Sequence, residues 1–244
     1  MKLTEHSGPA SLRAKLSNLV SHRSDSRTDQ PTVSVDLPSK GVFYPDGRKS
    51  VKVSAFTVDQ VVMLKAIDAT SSESVREKIL ADVIGRSIMD YDALDLTVGD
   101  YTFLLYWLRL NSFKRSPFIL KWTGQDGMER EAMLQDTSLD VQDVDTARPV
   151  PKDFTYMTVR EKIQILEIED QALSWKARHA AYLNIEGNLE AKMEALGHLG
   201  PDDIIVIREN LQKFLHGVNE YAIVQEGDQE VKIPMKIEIS DFFP

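Results

Sequence analysis

The 244-residue sequence contains no cysteine. Disulfide bonds, thiolate nucleophiles and cysteine-based zinc sites are therefore excluded, and the composition agrees with a reducing compartment. No stretch approaches the roughly 18 consecutive apolar residues of a transmembrane helix, and the opening MKLTEHSGPASLRAKL lacks the apolar core of a secretory signal. We therefore expect a soluble intracellular protein that makes no membrane contact.

Basic residues are also in short supply. The chain has 29 Lys and Arg against 38 Asp and Glu, a formal charge of −9. Binding to phosphate backbones needs clustered cations, which this sequence does not show, so we expect no nucleic-acid partner. Aromatic and basic residues are interleaved only at 107–115, a pattern more typical of a helix whose negative end is capped by cations. The acidic balance favours protein partners.

Familiar catalytic motifs are missing as well. The patterns HExxH, GxSxG, GxGxxG and GxxxxGK[ST] do not occur. The five histidines show no metal-ligand spacing: His6, His22, His179, His198 and His216. Carboxylate pairs such as Glu167/Glu169 and Glu186/Glu190 are more typical of a solvated helix face than of a general acid and base. We expect no enzyme activity, no catalytic or metal-binding residue and no cofactor.

The stretch LPSKGVFYPDGR, residues 37–48, could form either an active-site loop or a turn. Val33 and Val35 before it, and Val51 and Val53 after it, alternate with polar residues as in half-buried strands. Its prolines and glycines are typical of chain reversals, and neither glycine precedes a helix that could hold a phosphate. We predict a turn that sets strand geometry, with no catalytic residue.

Helix starts are marked by capping residues. Thr57 begins a capping-box pattern before a helix over 58–67, and Ser72, Thr97 and Pro201 each stand at a further start. The longest predicted helix covers 158–183. Its apolar residues recur at the three- and four-residue spacing of a coiled-coil seam: Ile165, Ile168, Ala172, Trp175, His179 and Tyr182. We favour a long helix on the protein's own core over an intermolecular seam.

Residues 96–140 align with residues 199–243 at a constant offset of 103. The aligned pairs include Asp100 with Asp203, Leu104 with Ile207, Phe118 with Tyr221, Leu120 with Ile223 and Leu134 with Ile237. This match predicts a helix-plus-hairpin unit used twice. The alternative is a chance alignment of two amphipathic patterns.

Together these patterns predict an α+β fold: a helix-rich single domain with two helix-plus-β-hairpin units and a flexible N-terminal arm. We expect the arm at 1–31, an N-terminal α/β lobe at 32–150, and a helical segment followed by a C-terminal helix–hairpin lobe at 151–244. The two hairpins carry Trp122 and Tyr221.

The arm contains a candidate docking helix, with four apolar residues at helical spacing: Leu12, Leu16, Leu19 and Val20. Its five Lys/Arg and three acids give a charge of +2, against −11 for the remaining chain, so we expect attraction to its own body or to another acidic subunit. The alternative is a disordered leader with chance periodicity. At the other end, Phe242 and Phe243 are expected to anchor ISDFFP by burial, within the chain or on another subunit.

Several stretches carry a resemblance when taken in order. They are LPSKGVFYPDG, GDYTFLLYWLRLNSF, LGPDDIIVIRENLQKFLHGVNEYAI and the ending ISDFFP. The series is similar to the baseplate hub and hub-assembly proteins of contractile-tailed phages of the T-even type, over most of residues 33–244. The matching residues are Pro38, Gly41, Tyr44, Asp100, Arg109, Gly217, Phe242, Phe243 and Pro244.

The resemblance implies a non-enzymatic protein that helps to assemble or build the central baseplate hub through contacts with other tail or baseplate proteins, of hub or tape-measure type. It implies a place in the host cytoplasm during assembly or in the tail baseplate of the virion. Permanent component and transient assembly factor stay open, as does the oligomeric state. The alternative is a small-ligand-binding or hydrolytic enzyme with a site in a helix–sheet cleft.

Overall fold

Short helices and small sheets alternate along the chain. The computed structural model describes residues 31–65, 67, 71–113, 116–124, 127–226 and 229–235. The helices are α1 Val58–Lys65, α2 Glu73–Ser87, α3 Val98–Ser112, α4 Val159–Leu166, α5 Gln171–Ala180, α6 Leu189–Leu196 and α7 Pro201–Lys213. The strands are β1 Thr32–Asp36, β2 Ser50–Ser54, β3 Ile119–Thr123, β4 Glu129–Met133, β5 Leu139–Gln142, β6 Gly217–Glu226 and β7 Gln229–Pro234. The predicted α+β class is confirmed.

The strands form three small sheets in the orders β1-β2, β3-β4 and β5-β6-β7. Strands β3 and β4 pair antiparallel and place Trp122 opposite Arg130. Strands β6 and β7 also pair antiparallel and place Tyr221 opposite Pro234. Both predicted hairpins are therefore present. Strand β5, which the sequence analysis did not predict, adds to the second hairpin through β6.

Capping residues start the helices where the sequence predicts. Thr57 and Gln60 exchange hydrogen bonds of 2.7 and 3.3 Å at the start of α1. The side chains of Ser72 and Thr97 accept amide hydrogen bonds at the starts of α2 and α3. Pro201 is the first residue of α7. The side chains of Thr57, Ser72 and Thr97 thus satisfy amides that a helix cannot pair internally, whereas Pro201 has no amide to satisfy.

The prediction of one long helix over 158–183 is wrong. The chain forms α4 and α5 with a break between them, because Asp170 caps the second helix by accepting from the amide of Leu173 at 2.8 Å. The break interrupts the predicted apolar stripe, and Trp175, one of its residues, is 53% exposed and so does not pack on the protein's own core. The break allows Ile165 to pack in one cluster with Ala177 and Ala181 of the following helix and turn.

The largest hydrophobic cluster contains residues from Val35 to Ile163 and from Val218 to Met235, while α5, α6 and α7 pack in smaller clusters. Leu37, Val53, Ile84 and Leu104 are buried at its centre. Strand β5 comes from the range 32–150 and β6 from 151–244, so the two predicted lobes share a sheet as well as this core. In the ranges that the structure describes, no helix is long and apolar enough to cross a membrane.

The two helix-plus-hairpin units share the order helix, strand, strand. In the helices the predicted equivalences hold only in part: Leu104 and Ile207 are both buried, whereas Asp100 is completely buried and its counterpart Asp203 is exposed. The hairpin register differs between the two units. In the first hairpin the numbers of two paired residues add up to 252, so an offset of 103 on both strands predicts 458 for the second hairpin. The observed value is 455, a shift of three residues. The buried face also differs, since Phe118 is buried and its counterpart Tyr221 is 45% exposed.

Candidate functional site

The first turn of α3 is the centre of a buried polar cluster. Thr97 caps the helix, and its hydroxyl accepts from the amide of Asp100 at 3.3 Å. The carboxylate of Asp100 is completely buried. Burial of a carboxylate is costly unless it accepts hydrogen bonds, and the positive end of the helix dipole favours the charge at this position.

Residues 37–48 supply the missing donors. The amide of Ser39 donates to Asp100 Oδ1 at 2.9 Å, and the hydroxyl of Tyr44 donates to Oδ2 at 2.6 Å. The Tyr44 oxygen also accepts from the amide of Thr97 at 3.1 Å. This stretch is therefore a turn between β1 and β2, as predicted, and it also stabilises the start of α3, which was not predicted.

Gly41 allows this turn to close. Its φ of 82° lies in the left-handed region, and a Cβ atom there would stand 2.4 Å from the carbonyl oxygen of Gly47. A residue with a side chain would be strained at this φ, and its Cβ would clash with the Gly47 carbonyl oxygen. Sequence position alone marked Gly41 as a turn residue, and the close backbone contact explains why the turn needs it.

His216 completes the cluster from the C-terminal side. Its Nδ1 lies 3.0 Å from the carbonyl oxygen of Phe214, which can only accept, so Nδ1 carries the proton. Its Nε2 lies 2.8 Å from Thr97 Oγ1 and accepts from that hydroxyl in the neutral imidazole. We refer to Ser39, Tyr44, Thr97, Asp100 and His216 as the Asp100 cluster.

Two glycines let the backbones meet beside His216. A Cβ on Gly99 would lie 2.4 Å from the His216 carbonyl oxygen, and one on Gly217 would lie 2.6 Å from the Gly99 carbonyl oxygen. Gly217 also has a φ of 107°. The first turn of α3 and the start of β6 therefore pack backbone against backbone.

Phe43 connects the 37–48 turn to residues 154–156 and 214–216 through aromatic contacts. Its ring centroid lies 5.4 Å from that of His216 in a stacked arrangement and 5.5 Å from that of Tyr156. Phe154 and Phe214 lie 6.2 Å away, both edge-on. These aromatic rings exclude water from one side of the Asp100 cluster.

The electrostatics of the cluster follow from burial. Burial, with the negative charge of Asp100, raises the pKa of Tyr44 far above its ordinary value, so the phenol stays protonated. Burial lowers the pKa of His216, although Asp100 and the Phe214 carbonyl oppose the shift. In this cluster neutral groups donate hydrogen bonds: the Ser39 amide and the Tyr44 hydroxyl to the Asp100 carboxylate, and the Thr97 hydroxyl to His216. Chemically, this arrangement fixes three chain segments together, and it offers no unpaired acid, base or nucleophile.

A groove of about 920 Å³ lies beside the cluster. Most of its lining residues come from α3, α4, the start of β6 and the two residues before that strand: Val98, Gly99, Thr102, Tyr106, Lys162, Ile165, Leu166, Leu215, His216 and Val218. Glu73, Tyr156, Met157, Arg178, Tyr182 and Met235 complete it. We call it the α3–β6 groove. It is a cleft between helices and a sheet, with an aromatic and aliphatic lining and a few charges.

The charged residues that line the groove include Glu73, Lys162 and Arg178. Lys162 pairs with Glu77 at 3.0 Å. Burial and the charge of Glu161 raise the pKa of Tyr182 to about 12, against the opposing effect of Arg178. Beneath the groove, burial and Glu77 raise the pKa of Tyr101 as well. The tyrosines therefore remain neutral and present polar hydroxyls on apolar rings.

A buried ion pair fixes the helices behind the groove. Lys192 of α6 lies 2.7 Å from Glu161 of α4, and both side chains are about one-tenth exposed. The second oxygen of Glu161 accepts from the amide of Thr158 at 2.9 Å, which caps α4. The pair therefore connects α4 and α6 with its charges satisfied.

Arg109, at the other end of α3, matches the predicted cation in the last helical turn. Its guanidinium donates to the Ser116 carbonyl oxygen at 3.2 Å and lies 4.9 and 5.5 Å from the ring centroids of Phe113 and Phe118. Burial lowers its pKa. Asp100 and Arg109 thus act at opposite ends of the same helix.

The residues predicted to bind partners lie outside the described part of the chain: Leu12, Leu16, Leu19, Val20, Phe242 and Phe243. The structure instead brings together residues that the resemblance singled out separately, namely Tyr44, Asp100 and Gly217. Sequence reasoning missed Ser39 and His216 as their partners. The only signal for His216 was its position directly before Gly217.

Three comparisons with known proteins give no relative. No family model, no curated protein and no solved structure matches the chain. Within the described ranges, no group of three or more His, Cys, Asp or Glu side chains could hold a metal ion.

Proposed function

We propose that this chain is a non-enzymatic tail protein of a contractile phage, which acts in the assembly or structure of the central baseplate hub through protein–protein contacts. One observation carries the proposal beyond the sequence resemblance. The residues that match in three separate stretches are in contact: Tyr44 donates to Asp100, and Gly217 packs on the helix turn that holds Asp100. If the similarity were due to chance, the matching residues of separate stretches would not be expected to contact one another in the fold.

The chemistry of the Asp100 cluster supports a structural role. Asp100 is completely buried and accepts two donors from the 37–48 turn. His216 has partners on both ring nitrogens. Catalytic acids and bases need access to substrate, whereas the Asp100 carboxylate is enclosed by the groups that donate to it.

Exposed apolar pairs supply surfaces for partners. Val58 and Val62, one helical turn apart on α1, are 80% and 62% exposed. Ile119 and Met133, directly opposite in the first hairpin, are also exposed. Adjacent exposed apolar side chains favour association with another protein. We propose other tail or baseplate proteins as the partners, with the N-terminal arm as an additional contact.

The test is affinity purification of the tagged chain from cells infected by the phage that encodes it. We expect tail or baseplate proteins to copurify, and we expect Leu16→Asp with Leu19→Asp to reduce their yield. The matched control is Ser17→Asp with Asn18→Asp, which adds the same charges beside the apolar stripe. Equal yields from both double variants would remove the arm from the proposal, and the absence of any tail protein would contradict the proposal itself.

Mass spectrometry of purified mature tails then distinguishes the two roles. A permanent component is present at a fixed ratio to other baseplate proteins. A transient assembly factor is found in assembly intermediates and is missing from finished tails.

The α3–β6 groove favours a second candidate, a small-ligand-binding or hydrolytic enzyme. Its volume and mixed lining are in the range of ligand sites, and it lies in a helix–sheet cleft. A metabolite screen by thermal shift tests this reading. A ligand that raises the melting temperature, and whose effect is lost in Thr102→Trp, would favour the second candidate over the tail protein.

A further inference from the structure

Two tyrosine hydroxyls in the α3–β6 groove have no partner in the fold. Tyr156 lines the groove and is only 8% exposed, yet within the described residues its hydroxyl makes no hydrogen bond. The same is true of the hydroxyl of Tyr182, which also lines the groove. Both oxygens are accessible to solvent, so they open to the groove. Because buried side chains usually find hydrogen-bond partners within the protein, these two hydroxyls are suited to a partner held in the groove.

Arg178 adds a positive charge beside these tyrosines. It lies in the last turn of α5, four residues before Tyr182, and its exposed side chain also lines the groove. Among the described residues, no carboxylate forms an ion pair with it. The rings of Tyr156 and Tyr182 meet edge-on at 5.6 Å between centroids. Burial raises the pKa of Tyr182, and the charge of Arg178 is close enough to oppose that shift. We refer to Tyr156, Arg178 and Tyr182 as the donor wall.

The donor wall offers hydrogen-bond donors and one positive charge. A guanidinium can only donate, and burial raises the pKa of both phenols, which keeps them protonated at neutral pH. Glu161, whose charge also acts on Tyr182, is already held by Lys192 at 2.7 Å and by the Thr158 amide at 2.9 Å. Donors grouped around a cation are the chemistry that binds a carboxylate or a similar anion.

Most of the remaining lining is apolar or already hydrogen-bonded. The Thr102 hydroxyl donates to a backbone carbonyl, and both ring nitrogens of His216 have partners. Glu73 and Lys162 come from α2 and α4, and Lys162 pairs with Glu77 at 3.0 Å. Six lining residues have apolar side chains without an aromatic ring: Val98, Ile165, Leu166, Leu215, Val218 and Met235. The groove therefore combines one anion-binding wall with an apolar surface.

We propose that the α3–β6 groove binds an amphipathic anion, a small molecule with a carboxylate or similar head group on the donor wall and an apolar body along the six apolar residues. The groove volume of about 920 Å³ lies in the range of small-molecule sites. Because the chain has a net charge of −9 and repels anions in general, such a ligand needs a local cation. This inference rests on the second candidate function, which it deepens by naming the ligand class.

Fluorescence titration with a pair of matched probes tests this site. The probe 8-anilinonaphthalene-1-sulfonate carries an anionic group on apolar rings, and N-phenyl-1-naphthylamine has the same rings without the charge. Arg178→Gln should raise the Kd of the sulfonate about tenfold, because a hydrogen bond to a charged group is lost. Tyr156→Phe with Tyr182→Phe should have an effect of similar size for the same reason. The Kd of the neutral probe should be nearly unchanged in these variants.

Control variants locate the probes. Arg208→Gln removes an exposed cation of α7 that does not line the groove, and it should leave both Kd values unchanged. Thr102→Trp and Leu215→Trp each fill the groove, and both should weaken the binding of both probes. Leu215 is 43% exposed, so this second substitution spares the core. Far-UV circular dichroism checks that each variant is folded.

Each outcome has a distinct meaning. Weaker binding of the sulfonate alone in the Arg178 and tyrosine variants, with weaker binding of both probes in the tryptophan variants, supports an anion site in the groove. If Arg178→Gln weakens both probes equally, or neither, the donor wall does not bind the head group and the inference is overturned, whereas the groove remains a ligand site. If neither tryptophan variant weakens either probe, the groove binds no such ligand and the second candidate function fails as well.

Discussion

Replacement of Tyr44 by Phe isolates the contribution of the Asp100 cluster to the fold. The change removes the hydroxyl that donates to Asp100 at 2.6 Å and accepts from the Thr97 amide at 3.1 Å. It keeps the ring and its edge-on contact with Tyr91, at 5.5 Å between centroids. A buried carboxylate then loses one of its two donors from the 37–48 turn, and a buried amide loses its acceptor.

The expected cost follows from these two losses. A hydrogen bond to a charged group contributes about 1.5–3 kcal/mol, and a buried group left unsatisfied costs about 1–3 kcal/mol. Some relaxation of the turn reduces the sum, so we expect the free energy of unfolding to fall by about 3 kcal/mol. In a chain of this size that corresponds to a drop of roughly 6–12 °C in melting temperature.

The assay is urea unfolding followed by far-UV circular dichroism at pH 7. Tyr91→Phe is the matched control, since it removes the same atom from a partly exposed phenol, and it should change the free energy by less than about 0.5 kcal/mol. If Tyr44→Phe is no more destabilising than Tyr91→Phe, the Asp100 cluster is not a principal support of the fold.

Three further predictions concern the same region and the helices behind it. Because burial lowers the pKa of His216 in the folded state, its contribution to stability should be fully present above the ordinary histidine pKa and should be lost as the pH falls through the lower folded value. Urea unfolding between pH 7.5 and 5 should show this loss. His216→Gln should reduce the pH dependence of the free energy of unfolding, whereas the control His198→Gln, at an exposed site, should not. Lys192→Met should lower the free energy of unfolding by about 3–5 kcal/mol, because it leaves the buried Glu161 carboxylate without its partner. Adding Glu161→Gln to this variant should recover part of that loss. If the effects of the two changes are fully additive in a double-mutant cycle, the two residues do not interact. Gly217→Ala should reduce the melting temperature by several degrees, because of both its φ and its contact with the α3 backbone, and a variant as stable as the original chain would show that this contact is easily relieved.

Much of the fold could be predicted from the sequence because its signals are local. Thr57, Thr97 and Pro201 carry their capping function within three residues of themselves, and the hairpin around Trp122 follows from alternation and a turn. The break before α5 was missed, because Asp170 reads equally well as an exposed residue in a continuous helix. Strand β5 was missed for a different reason. It is four residues long and acquires its partner only from β6, far along the chain.

The candidate site was harder to predict, because its contacts are long-range. Nothing near Asp100 in the sequence shows that its donors come from Ser39 and Tyr44, about 60 residues earlier, or that His216 closes the far side. The resemblance marked several of these positions without their relation to each other. The pairing of a buried acid with a distant phenol becomes evident only when the segments are brought together.

Deletion of the gene from the phage that encodes it, followed by electron microscopy of the particles, tests the central proposal most directly. We predict baseplates with a defective or missing hub, few complete tails, and recovery when the full chain is supplied from a plasmid. Complete baseplates, intact contractile tails and unchanged infectivity in the deletion strain would contradict a role in building the baseplate hub.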